Sequence, residues 1–189
     1  MKEIVWNIEA LRDIALDQYG YVTTQQALDA GVTKPTLSKL MKRDRLERVA
    51  HGVYRVPQVA PTTRDRYMLA LLWTGAPEAV LSHETALDAY EVSDINPTTI
   101  HVTVDKSRRI RREGGQGYKL HYETLQKDQI GWWEEIPTVK LATAIWQCIE
   151  MGTPSYLIDQ AIENGRKQGR LLQREVESLT KEIKNRDNG

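Results

Sequence analysis

A single cysteine, Cys148, occurs in the 189 residues of the chain. Without a second thiol there can be no internal disulfide and no cysteine-rich zinc site. The apolar neighbours Ile145, Trp146 and Ile149 mark Cys148 as an inert core thiol. Long apolar runs are also missing. Nothing approaches the roughly 20 residues of a membrane span, and the opening Met-Lys-Glu-Ile has no signal-peptide apolar region, so a cytoplasmic protein with no membrane partner is expected. There is no internal repeat and no low-complexity tract. Nor is there an excess of one charge: 26 Lys and Arg face 26 Asp and Glu. That balance excludes a uniformly basic coat for nucleic acid. With 40% hydrophobic and 28% charged residues, wholesale disorder is excluded too. The length suits one medium domain or two small ones with a sizeable core.

The neutrality is an average over unequal parts. From Thr33 to Arg55 seven cations (Lys34, Lys39, Lys42, Arg43, Arg45, Arg48, Arg55) stand against only Asp44 and Glu47, a local +5. Residues 113–165 carry −5 and residues 166–189 carry +3. A short basic stretch in a neutral protein reads as a local anion-binding face.

Local signals give that stretch a fold. Asn7 is placed to cap a first helix with Leu11, Ile14 and Ala15 on its apolar side, ended by Tyr19-Gly20. Thr23-Thr24-Gln25-Gln26 matches a capping box, and the helix it opens stops at Gly31. Thr33 caps the next helix, where Pro35 sits in the first turn and its missing N–H is harmless. A turn of about three residues containing glycine between these two helices is the spacing of a helix-turn-helix. On the third helix Leu37, Leu40 and Met41 share the core side, while Thr36, Ser38, Lys39, Lys42 and Arg43 spread over the other. Small hydrogen-bonding groups near the N-terminus with cations beyond them suit base edges and phosphates, respectively. Leu46 to Ala50 and Val53 to Val56 then alternate around His51-Gly52, which predicts the two-stranded wing of a winged helix. The candidate DNA contacts are Thr33, Lys34, Thr36, Ser38, Lys39, Lys42, Arg43, Arg45, Arg48, His51 and Arg55. Tyr54 is read as a packing residue.

The run Val22-Thr23-Thr24-Gln25-Gln26-Ala27-Leu28-Asp29-Ala30-Gly31-Val32-Thr33, followed by Leu37, Arg45-Leu46-Glu47-Arg48-Val49 and Gly52-Val53-Tyr54-Arg55, resembles the N-terminal winged helix of AbiEi-type antitoxins. Val80 to Leu87 (Val-Leu-Ser-His-Glu-Thr-Ala-Leu), Ile100 to Val104 and Ile136 to Val139 resemble that family's second domain. The resemblance spans roughly residues 8–150. It implies an antitoxin of a type IV toxin–antitoxin operon that represses its own promoter. Such an antitoxin counteracts a nucleotidyltransferase-like toxin without forming a stable complex with it.

Beyond a Pro57–Pro61 linker the residues are read on their own. Thr62 or Thr63 caps a helix through Trp73, Ala79 to Leu81 is a short buried strand, and Ser82 caps a helix to Tyr90. Ile100, Val102 and Val104 point inward from a strand whose Thr99, His101 and Thr103 point outward, and Tyr118, Leu120 and Tyr122 repeat the pattern. The two strands are expected to pair as a hairpin. The connection between them holds Lys106, Arg108, Arg109, Arg111 and Arg112 beside Gly114-Gly115, a mobile basic finger and a candidate second nucleic-acid contact. The other reading of that finger is a solvated loop protecting a sheet edge. Helices follow from Leu141, and the stripe Leu172, Val176, Leu179, Ile183 either packs on the domain or pairs with another helix.

No enzyme is expected. Ser82 beside His83 reads as a helix cap, and Gly114-Gly115-Gln116-Gly117 lies between strands, where it makes a poor phosphate cradle. His101 and His121 can share a polar face with Glu84 or Glu123 nearby, but there is no His-x-x-x-His pair, so no metal and no cofactor is expected. The expected fold is α+β: a winged helix-turn-helix over residues 1–60, then a mixed α/β domain over 61–189 with a C-terminal helical segment. The expected partner is double-stranded operator DNA. The alternative function is a DNA-binding regulator unrelated to a toxin, with a ligand-sensing or dimerising second domain. Oligomeric state is left open, a monomer on DNA repeats being one option.

Overall fold

Two threonines and a run of alternating residues organise the N-terminal third. The computed structural model describes residues 2–188, with side chains from Trp6 onward. Helix α1 (Lys2–Leu16) precedes strand β1 (Tyr21–Thr23). Thr23 then opens α2 (Thr24–Asp29): its Oγ1 accepts from the Gln26 N–H while the Gln26 side chain accepts from the Thr23 N–H, a complete capping box. Thr33 Oγ1 accepts from the Thr36 N–H and starts α3 (Lys34–Met41), with Pro35 in the first turn. The wing follows as β2 (Glu47–Ala50) and β3 (Val53–Arg55). The hairpin expectation is met, and one strand is added to it. β1 pairs antiparallel with β3, giving a three-stranded sheet of order β1-β3-β2. A register shift between Arg48 and Ala50 marks a bulge in β2, which bends and twists the wing.

Asn7 does not cap α1. The stretch before it contains no helix breaker, so the helix begins upstream and Asn7 lies buried within it. Leu11, Ala15, Val22, Ala27, Val32, Leu37, Leu40, Leu46, Tyr54 and Val56 form the core of this part. The chain divides into two compact units, the first comprising Met1–Pro77 with Arg109–Gln116, the second Glu78–Arg108 with Gly117–Gly189. Helix α4 (Asp65–Thr74) thus belongs with the winged helix, packed on β1 and β3. Its start is fixed by Asp65 rather than by a threonine cap: the Thr62 N–H and Oγ1–H both donate to Asp65 Oδ1, at 2.9 and 2.7 Å.

The second unit is built on a mixed five-stranded sheet of order β6-β5-β4-β8-β7. Its strands are β4 (Val80–Leu81), β5 (Ile100–Val104), β6 (Tyr118–Tyr122), β7 (Ile130–Trp133) and β8 (Ile136–Val139). Helix α5 (His83–Ala89) follows β4, and α6 (Leu141–Met151), α7 (Ser155–Lys167) and α8 (Gln173–Asn188) close the chain. The architecture is α+β, a winged helix followed by a sheet domain with C-terminal helices. β5 and β6 are not a hairpin. They run parallel, Ile100 opposite Tyr118 through Val104 opposite Tyr122. Alternation identifies strands but not their relative direction, and the connection over 105–117 has the dozen residues or more that a parallel crossover needs. His101 and Thr103 are buried rather than outward, because β5 lies inside the sheet and both of its faces are covered. The C-terminal stripe packs on its own unit: Leu179 and Ile183 are in the core, Val176 lies against it and Leu172 stays exposed. Cys148 is fully buried, and burial pushes its thiol pKa up, in keeping with an inert core residue. Among the described residues no helix is long and apolar enough to cross a membrane.

Candidate nucleic-acid interface

The capping of α3 determines what its outer face presents. With Leu37 and Leu40 in the core, the helical period leaves Lys34, Ser38 and Lys39 exposed, and Lys42, Arg43 and Arg45 continue that surface through the turn after the helix. Asp44, in this turn, takes φ 53°. Thr36 is half-buried, its hydroxyl 3.0 Å from that of Thr33. The Ser38 hydroxyl donates to the Lys34 carbonyl at 3.2 Å, which leaves its lone pairs outward. On the wing Arg48 and His51 are exposed, and Gly52 takes the left-handed conformation the turn demands (φ 69°). Tyr54 is buried, as its packing role predicts. The wing is tied back to α2 by the Thr24 N–H donating to the Gly52 carbonyl at 2.8 Å. Six cations (Lys34, Lys39, Lys42, Arg43, Arg45, Arg48) therefore share one small unit, all in solvent.

Arg55 does not join them. Its guanidinium pairs with Asp65 Oδ2 at 2.8 Å, donates to the Val59 carbonyl at 3.0 Å and lies over the Tyr21 ring. It fastens the sheet to the start of α4 instead of facing a phosphate. Tyr21 carries the cost of that neighbourhood: burial and the Asp65 carboxylate raise its pKa.

The basic segment is also more committed than a mobile finger. Arg108 forms a bidentate pair with Glu78 at 2.6 and 2.7 Å, which holds the Glu78 carboxyl below its usual pKa. Arg112 donates to the Trp73 carbonyl at 2.9 Å and to the His51 carbonyl at 3.4 Å. Its guanidinium lies so close to Gly75 (φ 67°) that a β-carbon there would displace it. The Trp73 indole N–H donates to the Glu113 carbonyl at 2.8 Å, and Gly115 lies against the same ring. Lys106, Arg109 and Arg111 remain exposed.

A different constellation forms in the second unit, where no metal-ligating set is expected from sequence. The parallel register sets Thr103 opposite His121 and His101 opposite Lys119, so both histidines fall on one face of the β5–β6 pair. His121 Nε2 lies 3.1 Å from His101 Nδ1. His83, first residue of α5, stacks its ring on that of His121 with centroids 3.5 Å apart. One ring nitrogen from each of the three lies within 4.8 Å of the others. Burial, reinforced by Lys119 and, for His83 and His121, by the neighbouring imidazoles, lowers the pKa of His83 to about 3 and those of His101 and His121 to about 4. At neutral pH all three are uncharged. Around them, Ser82 Oγ lies 3.0 Å from His83 Nδ1 and accepts from the Thr103 hydroxyl at 2.8 Å. Ser82 stands at the N-cap position of α5 but makes no side-chain cap bond. The His101–His121 pairing is half visible in the alternation of the two strands, whereas nothing in the local sequence around His83 directs it there.

Residues 9–57 match the profile of a family described as "Transcriptional regulator, AbiEi antitoxin". No curated protein matches the chain. Among solved structures, the crystal structure of the RV2827C protein from Mycobacterium tuberculosis is similar, with a TM-score of 0.59 at 14% identity. The likeness covers 96% of this chain and 74% of that one. At that identity it establishes a shared fold, one that extends through both units.

Proposed function

We propose, from the family match over residues 9–57, that this chain is the antitoxin and transcriptional autorepressor of a type IV toxin–antitoxin operon. The observation that carries the DNA-binding part is the row of exposed cations on α3 and the wing, within the same stretch as the match. In this reading α3 lies in the major groove of operator DNA. Thr33, Lys34, Thr36, Ser38 and Lys39 are near base edges, and Lys42, Arg43, Arg45 and Arg48 on phosphates, with His51 at the wing tip. Lys106, Arg109 and Arg111 supply a weaker second contact. The second unit opposes a nucleotidyltransferase-like toxin in the cytoplasm without a stable complex.

The test has two arms. Binding of the full chain to the DNA upstream of its own gene is measured against salt, and growth is followed on co-expression with the neighbouring gene. Operator binding with rescue of growth supports the whole reading. Operator binding without rescue reduces it to a DNA-binding regulator, and loss of sequence preference for the upstream DNA overturns it.

A further inference from the structure

The geometry points to a metal site in the second unit, with His83, His101 and His121 as three ligands to one late first-row divalent ion of the zinc class. Imidazole nitrogens are the donors such ions prefer over carboxylate or carbonyl oxygens. Three histidines with a fourth position left to water is an established tetrahedral arrangement. The spacing is close to what it requires. With zinc–nitrogen bonds of about 2.0–2.1 Å, ligand nitrogens sit about 3.4 Å apart in a tetrahedron. The His101–His121 pair is already at 3.1 Å, and the widest separation in the set is no more than 4.8 Å. To close the remainder, His83 has to tilt out of its stack on His121, because near-parallel rings cannot both aim a lone pair at one ion.

Two further features fit a ligand set better than a packed histidine core. The first is the outer shell. His101 turns Nδ1 to the cluster and Nε2 towards Glu84 Oε2, 3.9 Å away and short of a hydrogen bond, while Glu84 Oε1 accepts from the Thr153 hydroxyl at 3.0 Å. A carboxylate that closes to hydrogen-bond distance behind a ligating imidazole fixes the ring and raises its basicity. Ser82, itself held by Thr103, stands behind His83 in the same way. The second is backbone. His83 is held at φ 50°, a conformation a non-glycine residue adopts at a cost, and that conformation begins α5 with a ring nitrogen within 4.8 Å of those of His101 and His121. The opposing group is Lys119, whose positive charge acts on all three rings, but its Nζ is drawn to Met151 Sδ at 3.5 Å. A bound ion would join the start of α5, the interior strand β5 and the edge strand β6, which otherwise has a neighbour on one side only. The inference does not depend on the function proposed above.

The experiment uses the full chain without an affinity tag, stripped with chelator and then titrated with zinc and with cobalt. One equivalent of zinc is expected to bind and raise the melting temperature, and cobalt to give the visible bands of a tetrahedral nitrogen site. His121→Gln should abolish the cobalt bands, and Glu84→Gln should weaken zinc binding by about 10- to 100-fold. Should His121→Gln fold poorly, ring NMR of the unaltered chain decides. One equivalent of zinc is expected to shift three of the four histidines and leave His51 unmoved. Absence of stoichiometric binding overturns the site, as does binding that survives His121→Gln or fails to move the three rings.

Discussion

In the first unit Lys34, Lys39, Lys42, Arg43, Arg45 and Arg48 all stand in solvent, whereas in the second His83 and His101 are buried and His121 is half-covered. The contrast separates two ways of using ionisable side chains. Exposed cations keep their charge and attract at a range set by the Debye length, about 8 Å at physiological salt, so they suit a polyanion and weaken as salt rises. Buried imidazoles lose their charge and gain fixed direction, so they suit a bond of about 2 Å and are indifferent to salt. Neither set substitutes for the other.

That contrast can be broken most sharply at the exposed face. Replacing Lys42, Arg43 and Arg48 together by Ala should remove most binding to DNA of any sequence. It should also flatten the dependence of log affinity on log salt by about 0.9 for each phosphate no longer neutralised. An unchanged slope in a salt-titrated mobility shift would remove these residues from the interface. Arg55 is the internal control: Arg55→Met should leave that slope where it was, since its guanidinium is engaged by Asp65 and Val59.

The next largest effect concerns stability. Asp65→Ala leaves the Arg55 guanidinium largely buried without its partner and removes the acceptor for Thr62. About 2 kcal/mol should be lost in chemical unfolding, below the 3–5 kcal/mol of a fully buried pair because both side chains keep some exposure. Thr23→Ala should cost about 1 kcal/mol through the capping box. The most discriminating effect is on acid sensitivity. In metal-free protein the three cluster histidines have folded pKa values near 3 to 4 against 6.5 when unfolded, so the unfolded chain takes up protons first. Melting temperature should therefore fall as pH drops below about 6.5, with little change on adding salt. A His121→Gln variant should show a shallower fall, and an equally steep one would assign the acid loss elsewhere.

How much of this is legible in the sequence follows from how far apart the participants lie. Thr23 with Gln26 and Thr33 with Thr36 are each three residues apart, and the wing is a short hairpin, so local rules are enough. β1 escapes them because Tyr21–Thr23 is too short to show alternation, and only its pairing with β3 reveals it. Sequence assigns Arg55 to phosphate because it shows the charge but not Asp65, ten positions on. In the second unit 18 positions separate His83 from His101, and 20 separate His101 from His121. They meet only because β5 and β6 run parallel in one register, and a slip of one residue would send His121 to the other face. No local pattern encodes that choice.

The order in which the chain leaves the ribosome gives Arg109–Gln116 a further meaning. The indole N–H of Trp73 finds its acceptor at Glu113, and the recess at Gly75 its filling at Arg112, both some forty residues later and after the start of the second unit. During synthesis, therefore, the first unit lacks these contacts when residue 77 emerges. They form only after residue 116 has cleared the exit tunnel, with β4, α5 and β5 already made. A fragment ending at 77 should expose Trp73 to quenchers and melt below the intact chain, and supplying residues 109–116 as a separate peptide should restore part of the difference.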